Sequence, residues 1–247
     1  MANPFKGDKE KLAKMNFRQK VDYIWTYYRF WIVVTVIVII VVGAFIQAQL
    51  AYNPDAMNML LCDTYCEDTE TAYASINDDF REFIQLPDGE KDPISFDDTI
   101  SFSADNSDYT AGVMLQKLMA LVISGDADLM IAPESAIVYY GAQNMFSDLS
   151  EVLPEDFFNE LKEQDLLFET TYVPTEDEIK DGAVEKTFYC GIRLDELDYF
   201  KDKNISLEDM SCGVIISGDH QDSALDFLNM LFGRKSVMAD EISGNET

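Results

Sequence analysis

The chain has 247 residues, 47% of them hydrophobic, and its 46 Asp+Glu against 18 Lys+Arg give a formal net charge of −28. A charge this negative excludes nucleic acid as a partner and weakens contact with anionic lipid. Aromatic and aliphatic residues are plentiful, so the acidity belongs to the surface of a folded protein and does not indicate disorder.

The first predicted element is an uncharged apolar run that begins at Phe30 and has no charged residue before Asp55. A helix needs about 20 apolar residues to cross a bilayer, and residues 30–50 supply that length. Aromatic residues crowd the start of the run, as they do at membrane interfaces. We therefore predict one transmembrane helix over residues 30–50. A cleaved signal peptide is the main alternative, but the segment before the run is long and Ile46-Gln47-Ala48 is a poor cleavage site.

Charge sets the predicted orientation of this helix. Seven Lys+Arg and three Asp+Glu precede the run, for +4, and the remaining 11 and 43 give the rest of the chain −32. The positive-inside rule predicts a cytoplasmic tail over residues 1–14 and an extracellular C-terminal domain on a single-pass cell-membrane protein. Apolar residues at helical spacing predict an amphipathic juxtamembrane helix over residues 15–29. That segment resembles juxtamembrane segments of single-pass surface proteins of Gram-positive bacteria.

The extracytoplasmic domain is predicted to occupy residues 51–235, before a flexible tail over residues 236–247. Continuous or alternating apolar residues predict its strands, and apolar residues at helical spacing with capping residues predict its helices. The predicted strands are 58–62, 99–103, 128–132, 186–193 and 212–217, and the predicted helices are 72–84, 111–122, one after Pro133, one after Pro154, and 219–232. This alternation predicts an α/β fold: one three-layer domain with a mostly parallel five-stranded sheet.

The order of three stretches resembles the type-2 extracellular solute-binding proteins of ABC importers. The first runs from Ser124 to Ala132 and continues through Tyr139-Tyr140 to Asp148-Leu149-Ser150, similar to a DL(S/T) motif. The others are Phe188–Ile192 and Ser217–Leu231, which resemble the strand before the second lobe and the returning strand and helix. Only 19 residues separate Ile192 from Cys212, too few for a second lobe. The resemblance therefore implies a single lobe, similar to half of a periplasmic binding protein.

The carboxyl ends of the first three strands are where open α/β sheets place ligands. The equivalent loops contact ligand in the solute-binding family. The predicted ligand-binding residues are Asp63, Thr64, Tyr65, Ser103, Asp105, Asn106, Glu134 and Ser135. The alternative is that these side chains only cap helices and close turns.

Catalytic and metal-binding patterns are missing from the sequence. No P-loop, G-x-G-x-x-G, G-x-S-x-G or H-E-x-x-H motif occurs, and His220 is the only histidine. Cys62, Cys66, Cys190 and Cys212 are interpreted as buried thiols or as disulfide partners, since their spacing does not suit a zinc ribbon. We expect no cofactor, no metal and no enzymatic activity.

Two functions follow as hypotheses. The first is a membrane-anchored, non-catalytic binding domain whose partner is a small solute or an extracellular or membrane protein. The second is a structural or assembly subunit of a membrane complex, in which the juxtamembrane and transmembrane helices make the contacts. An enzyme is the third and weakest possibility, with His220 as its best candidate.

Overall fold

A computed structural model describes residues 16–51, 56–87, 91–102, 108–195, 197–206 and 208–239. The chain forms two compact units, Met1–Asn53 and Pro54–Thr247. Each unit is described by itself below.

The first unit contains one long helix, α1, which spans Phe17–Ala51. The predicted juxtamembrane and transmembrane segments thus lie on a single 35-residue helix. Many of its described side chains are exposed, including Trp31 and Ile39. Taken over the residues that the structure describes, no helix of the protein is long and apolar enough to cross a membrane. The predicted transmembrane helix is therefore not identified, and membrane anchoring stays a prediction.

The second unit alternates strands and helices. Its helices are α2 (Thr69–Phe83), α3 (Asp108–Ser124), α4 (Glu134–Gly141), α5 (Leu149–Val152), α6 (Glu155–Glu163), α7 (Glu176–Lys180), α8 (Tyr199–Asp202) and α9 (Gln221–Leu231). Its strands are β1 (Met57–Leu61), β2 (Tyr65–Cys66), β3 (Ile94–Asp97), β4 (Leu129–Pro133), β5 (Leu167–Tyr172), β6 (Lys186–Arg193), β7 (Ile205–Ser206) and β8 (Met210–Val214). The α/β class is confirmed.

The main sheet corrects the predicted topology. It has six strands in the order β3-β1-β4-β8-β6-β5, and β2 pairs with β7 in a separate two-stranded sheet. Of the strand pairs in this sheet, β3–β1 and β1–β4 are parallel, whereas β4–β8, β8–β6 and β6–β5 are antiparallel. The prediction of a mostly parallel five-stranded sheet was therefore wrong, because β8 returns antiparallel between β4 and β6 and β5 adds a hairpin edge.

The second predicted strand was also misplaced. The strand beside β1 is Ile94–Asp97, and residues 99–102 are not in a strand. The alternation in residues 99–102 has a different cause: Ile100 is buried, while Ser101 and the Phe102 backbone donate to the Asp63 carboxylate. The alternation of apolar and polar residues over 99–102 therefore reflects packing and side-chain hydrogen bonds, and not the backbone hydrogen bonds of a β-strand.

Two hydrophobic clusters lie on opposite faces of the main sheet, as the three-layer prediction requires. Along β1, Met59 and Leu61 join one cluster, while Leu60 joins the other. The first cluster packs residues of α2, α6 and α9, and the second packs residues of α3 and α4. Alternating side chains of a strand point to opposite faces, so both faces of the central strands are buried, and β1 is apolar except for Asn58.

Two fully buried carboxylates, Asp128 and Asp226, join separate chain segments through hydrogen bonds from backbone and side-chain donors. Asp128 accepts from the backbone N–H groups of Asn58 (2.8 Å) and His220 (2.7 Å), so it ties β1 and β4 to the start of α9. Asp226 accepts from Ser236 Oγ (2.7 Å) and from the N–H groups of Val237 and Met238. Residues 236–239, at the start of the predicted flexible tail, are thereby held on α9.

Candidate functional site

An open cavity of about 590 Å³ lies at the carboxyl ends of β1 and β4. Its described lining combines three aromatic rings, small residues and a few polar groups. These residues are Asp63, Ser101, Phe102, Gly112, Leu115, Pro133, Ser135, Ala136, Tyr139 and Tyr140. Drug-sized ligands occupy cavities of about 300–1,000 Å³ with a largely apolar lining and a few placed polar groups.

Asp63 forms the polar wall of the cavity. It stands two residues after β1 in a left-handed conformation, with φ of 56°, which Asp tolerates better than most residues. One carboxylate oxygen accepts from Ser101 Oγ at 2.5 Å, and both oxygens accept from the Phe102 N–H at 3.0 and 3.1 Å. The Asp63 N–H also donates to the Ile100 carbonyl. Together these bonds hold Ser101 and Phe102 beside the end of β1.

Helix α4 supplies the aromatic wall. Pro133 ends β4 and α4 begins at the next residue, so Ser135 and Tyr139 are one turn apart and share a helix face. The Tyr139 and Tyr140 rings meet edge to face, with centroids 5.0 Å apart and planes at 83°. Phe102 lies 5.1 Å from Tyr140 in a tilted arrangement. Tyr139 is 62% exposed, whereas Tyr140 is 6% exposed.

The phenol of Tyr140 stays protonated to high pH. Burial, then the neighbouring Tyr139, then Cys62 raise the pKa of Tyr140 above its ordinary value. Tyr140 can therefore act as a neutral hydroxyl group in the cavity and not as an anion. Because a phenol both donates and accepts, it suits a polar neutral ligand or a cation equally well.

The described lining of the cavity contains one carboxylate and no Lys or Arg. Lys117, two residues after Leu115, lies 2.6 Å from an Asp97 carboxylate oxygen and also donates to Thr99 Oγ1. Burial opposes ionisation of Asp97, but the bonds from Lys117 and Thr99 outweigh it and lower the pKa of Asp97. The positive charge of Lys117 is thus paired locally with a carboxylate.

The five predicted site residues that the structure describes do not meet in one place. Asp63 and Ser135 line the cavity. Thr64 Oγ1 donates to the Leu61 carbonyl at 3.4 Å, and Tyr65 lies in β2, opposite Ser206 of β7. Glu134 accepts from Arg193 Nε at 2.6 Å and Nη2 at 3.2 Å. None of these three residues is among the described lining of the cavity, and their role in ligand binding stays a prediction.

The other three predicted residues, Ser103, Asp105 and Asn106, lie outside the described residues. The sequence prediction also missed Phe102, Tyr139 and Tyr140 as lining residues. Tyr139 carried a signal: it follows Ser135 by four residues on a predicted helix, and residues at that spacing lie on one face. No sequence pattern indicated that Phe102 and Tyr140 line the cavity, because their positions there depend on tertiary packing.

A second, smaller cavity of about 350 Å³ is lined by Leu194, Asp195, Leu197, Lys201, Ile205, Ser206, Asp209 and Met210. Burial, with Asp209 and Glu134 nearby, raises the pKa of Asp195. The Lys201 ammonium donates to the Asp195 carbonyl at 3.0 Å and also lies 3.5 Å from Asp198. The one ammonium group of the described lining is thus engaged by neighbouring loop residues, and we place the candidate site at the larger cavity.

His220 and the four cysteines lie outside the described lining of the larger cavity. His220 Nδ1 lies 3.3 Å from the buried carboxylate of Asp128, at the amino end of β4 and so at the opposite end of that strand from the cavity. All four cysteines are unbridged. Cys190 and Cys212 lie on neighbouring strands, but a bulge in β6 puts Cys190 in the cluster opposite Cys212. Among the described residues no three His, Cys, Asp or Glu side chains are grouped to hold a metal ion.

No protein-family model matches the chain, and no curated protein matches it. Among solved structures, the chain is similar to a substrate binding domain of a putative molybdenum ABC transporter from Clostridium difficile, at 12% identity. The match covers 76% of this chain and 96% of that chain, with a TM-score of 0.31. At this level the likeness assigns neither a fold family nor a ligand to the chain.

Proposed function

We propose that the protein is a binding protein that takes a small solute into the cavity formed by Asp63, Ser101, Phe102, Ser135, Tyr139 and Tyr140. The observation that carries this proposal is the cavity itself. It has about 590 Å³ of space at the carboxyl ends of two parallel strands, where open α/β sheets place their ligands. Its polar groups are few, and hydrogen bonds hold the Asp63 carboxylate in place, which suits selection of one orientation of a ligand.

The proposal is for binding without catalysis. General acid–base or nucleophilic chemistry needs a nucleophile within hydrogen-bond reach of a base that a third group orients. The cavity offers Ser101 Oγ, but its partner is the Asp63 carboxylate, which the Phe102 N–H also engages. The single histidine lies with Asp128 at the other end of β4. The lining therefore favours recognition.

The proposal includes a membrane anchor over residues 30–50, with residues 1–14 cytoplasmic and the binding domain extracellular. Three features support it: the charge-free run from Phe30, the seven Lys+Arg before it, and the absence of Lys or Arg between Phe30 and Arg81. Alkaline carbonate extraction of membranes should leave the protein in the pellet. In a Cys66→Ser background, which removes the partly exposed native thiol, a membrane-impermeant maleimide should label an Asp177→Cys variant in intact cells and spare an Ala2→Cys variant. Labelling of Ala2→Cys alone would contradict the orientation.

The binding proposal is tested on the full-length protein in a maltoside detergent by thermal shift against a library of small solutes. The variant Ala136→Phe fills the cavity from α4, and Ala120→Phe, on an exposed position of α3, is its matched control. A solute that stabilises the wild type and Ala120→Phe but not Ala136→Phe supports the proposal. A solute that stabilises all three equally, or a library without any stabilising solute at millimolar concentration, contradicts it.

A second candidate is an assembly subunit of a membrane complex. The large apolar side chains of α1 favour it, since Phe30 and Trp31 are both exposed. Pull-down of the full-length protein is compared with a version whose residues 15–50 are replaced by an unrelated anchor. Recovery of a partner by the native anchor alone favours the assembly subunit, and equal recovery by both favours the binding domain.

A further inference from the structure

The charge of the cavity lining points to one chemical class of solute. Asp63 is the only charged residue among the described lining residues, and it is anionic. Its carboxylate accepts from Ser101 and Phe102, and a carboxylate has capacity for further donors. The Asp63 carboxylate therefore attracts a positively charged ligand group. It would repel an anionic ligand, and the described lining has no Lys or Arg to offset that repulsion.

The sequence around the cavity strengthens this bias. From Asp97 to Gln116 the chain contains four aspartates and no Lys or Arg. The next basic residue, Lys117, is paired with Asp97 at 2.6 Å. The whole chain has a formal charge of −28, and a field of one sign raises the local concentration of oppositely charged solutes.

The aromatic wall provides a second mode of attraction for the same class. Tyr139 and Tyr140 present rings at 83° to one another, and Phe102 adds a third ring 5.1 Å from Tyr140. A ring face attracts a cation within about 6 Å of its centroid, and a desolvated cation gains most. Rings set at an angle offer a corner to an alkylated ammonium group, and the Asp63 carboxylate lines the same cavity.

We propose that the cavity binds a small organic cation, an ammonium with alkyl substituents and a hydroxyl or similar polar arm. The alkylated ammonium contacts Tyr139 and its neighbouring rings, with the Asp63 carboxylate as counter-ion. The polar arm reaches the hydroxyl of Ser135 or Tyr140. This inference rests on the proposed binding function and names its solute class.

The test compares two probes of one shape. Choline carries a quaternary ammonium, and 3,3-dimethylbutan-1-ol replaces its nitrogen by carbon and so lacks the charge. Isothermal titration of the full-length protein in a maltoside detergent should give choline an affinity at least about tenfold higher than the neutral isostere, since cation–π attraction and a counter-ion act on choline alone. Equal affinities, or tighter binding of the isostere, overturn the inference.

Variants locate the effect. Tyr139→Leu should weaken choline binding by about tenfold and leave the isostere nearly unaffected, while Tyr139→Phe, which keeps the ring, should retain choline binding. Asp63→Asn should lower choline affinity by a similar factor, because Asn keeps an acceptor and tolerates a positive φ but loses the charge. Tyr65→Leu and Asp126→Asn, an exposed aromatic and an exposed carboxylate outside the lining, are the controls. Equal losses in the controls contradict the assignment.

The outcomes separate the inference from the binding function beneath it. If choline and its homologues do not bind, but a library solute binds and is blocked by Ala136→Phe, the solute class is wrong and the binding function stands. If neither cations nor library solutes bind, both fail. Choline binding that survives Ala136→Phe places the cation outside the cavity and overturns the inference.

Discussion

The parallel pair β1–β4 has an aspartate at each end, and the two aspartates have different surroundings. Asp128, at the amino end, is 0% exposed and accepts from the N–H groups of Asn58 and His220. Asp63, at the carboxyl end, is partly buried and borders an open cavity. The comparison teaches that the two ends of one strand pair differ in packing: one end is closed by backbone donors, and the other borders open space, where we propose that a solute binds.

The strongest test of this contrast is Asp128→Ala. The change leaves the N–H groups of Asn58 and His220 without their acceptor, and each buried donor without a partner costs about 1–3 kcal/mol. We expect the free energy of unfolding to fall by about 3–4 kcal/mol, measured by urea unfolding of the full-length protein in detergent. Asp126→Ala, at an exposed position two residues earlier, should change it by less than about 0.5 kcal/mol. Similar losses in the two variants would contradict a closing role for Asp128.

Glycines at the two ends offer the next test. A Cβ on Gly218 would lie 2.7 Å from an Asp128 carboxylate oxygen and 2.8 Å from the Asp128 Cα. Gly218→Ala should therefore destabilise the protein by about 2 kcal/mol, as overpacking does. A Cβ on Gly112, which lines the cavity, would meet nothing within 4 Å. Gly112→Ala should be neutral or stabilising by up to about 1 kcal/mol, because Ala favours a helix interior. A destabilised Gly112→Ala would mean that the open end is packed after all.

Cys62, directly after β1 and next to Asp63, lies in the buried core behind the cavity and makes stability depend on pH. Burial first, then the charges of Asp63 and Asp97, raise the pKa of its thiol well above the ordinary 9.0. The folded state therefore keeps this proton when the unfolded state loses it, so stability is complete below pH 9 and falls as pH rises above 9. Above that pH the loss approaches about 1.4 kcal/mol for each pH unit.

Urea unfolding between pH 8 and pH 10.5 measures this loss. Cys62→Ala should be less stable at pH 8, because it leaves a small cavity, yet it should depend less steeply on pH above 9. Parallel pH dependences of the wild type and the variant would show that the Cys62 thiol ionises freely. In the native protein, thiol reagents at pH 8 should label the partly exposed Cys66 in preference to Cys62.

The closed end of the pair was the more predictable one. After their polar first residues, the runs Asn58–Cys62 and Asp128–Ala132 are apolar at every position, because both faces of a central strand are buried, and they predicted β1 and β4 correctly. Strand direction was not predictable from periodicity. A strand pattern is the same read in either direction, so the antiparallel return of β8 between β4 and β6 and the β5–β6 hairpin appeared only in the structure.

At the open end, a general rule indicated some of the residues that line the cavity, and packing decided the others, while ligand binding by any of them stays a prediction. Asp63 and Ser135 were predicted because ligands lie at the carboxyl ends of parallel strands. The side chain of Glu134, the neighbour of Ser135, pairs with Arg193 and is not among the described lining of the cavity. Arg193 lies 59 residues later, and no local sequence pattern indicates this pairing. Phe102 was assigned to a strand, and its place in the cavity depends on the bond from its N–H to Asp63.

The smallest expected effect on stability comes from the pair Tyr139 and Tyr140. Their rings touch, yet Tyr139 is exposed and Tyr140 is buried. Tyr139→Leu should change the free energy of unfolding by less than about 0.5 kcal/mol, as exposed substitutions do. Tyr140→Ala, the internal comparison, should cost about 3 kcal/mol because it empties buried volume. If Tyr139→Leu were as costly as Tyr140→Ala, the ring of Tyr139 would be a structural wedge. An unchanged stability with weakened solute binding would instead place Tyr139 in the recognition surface, since the fold would not require the ring and only the ligand would.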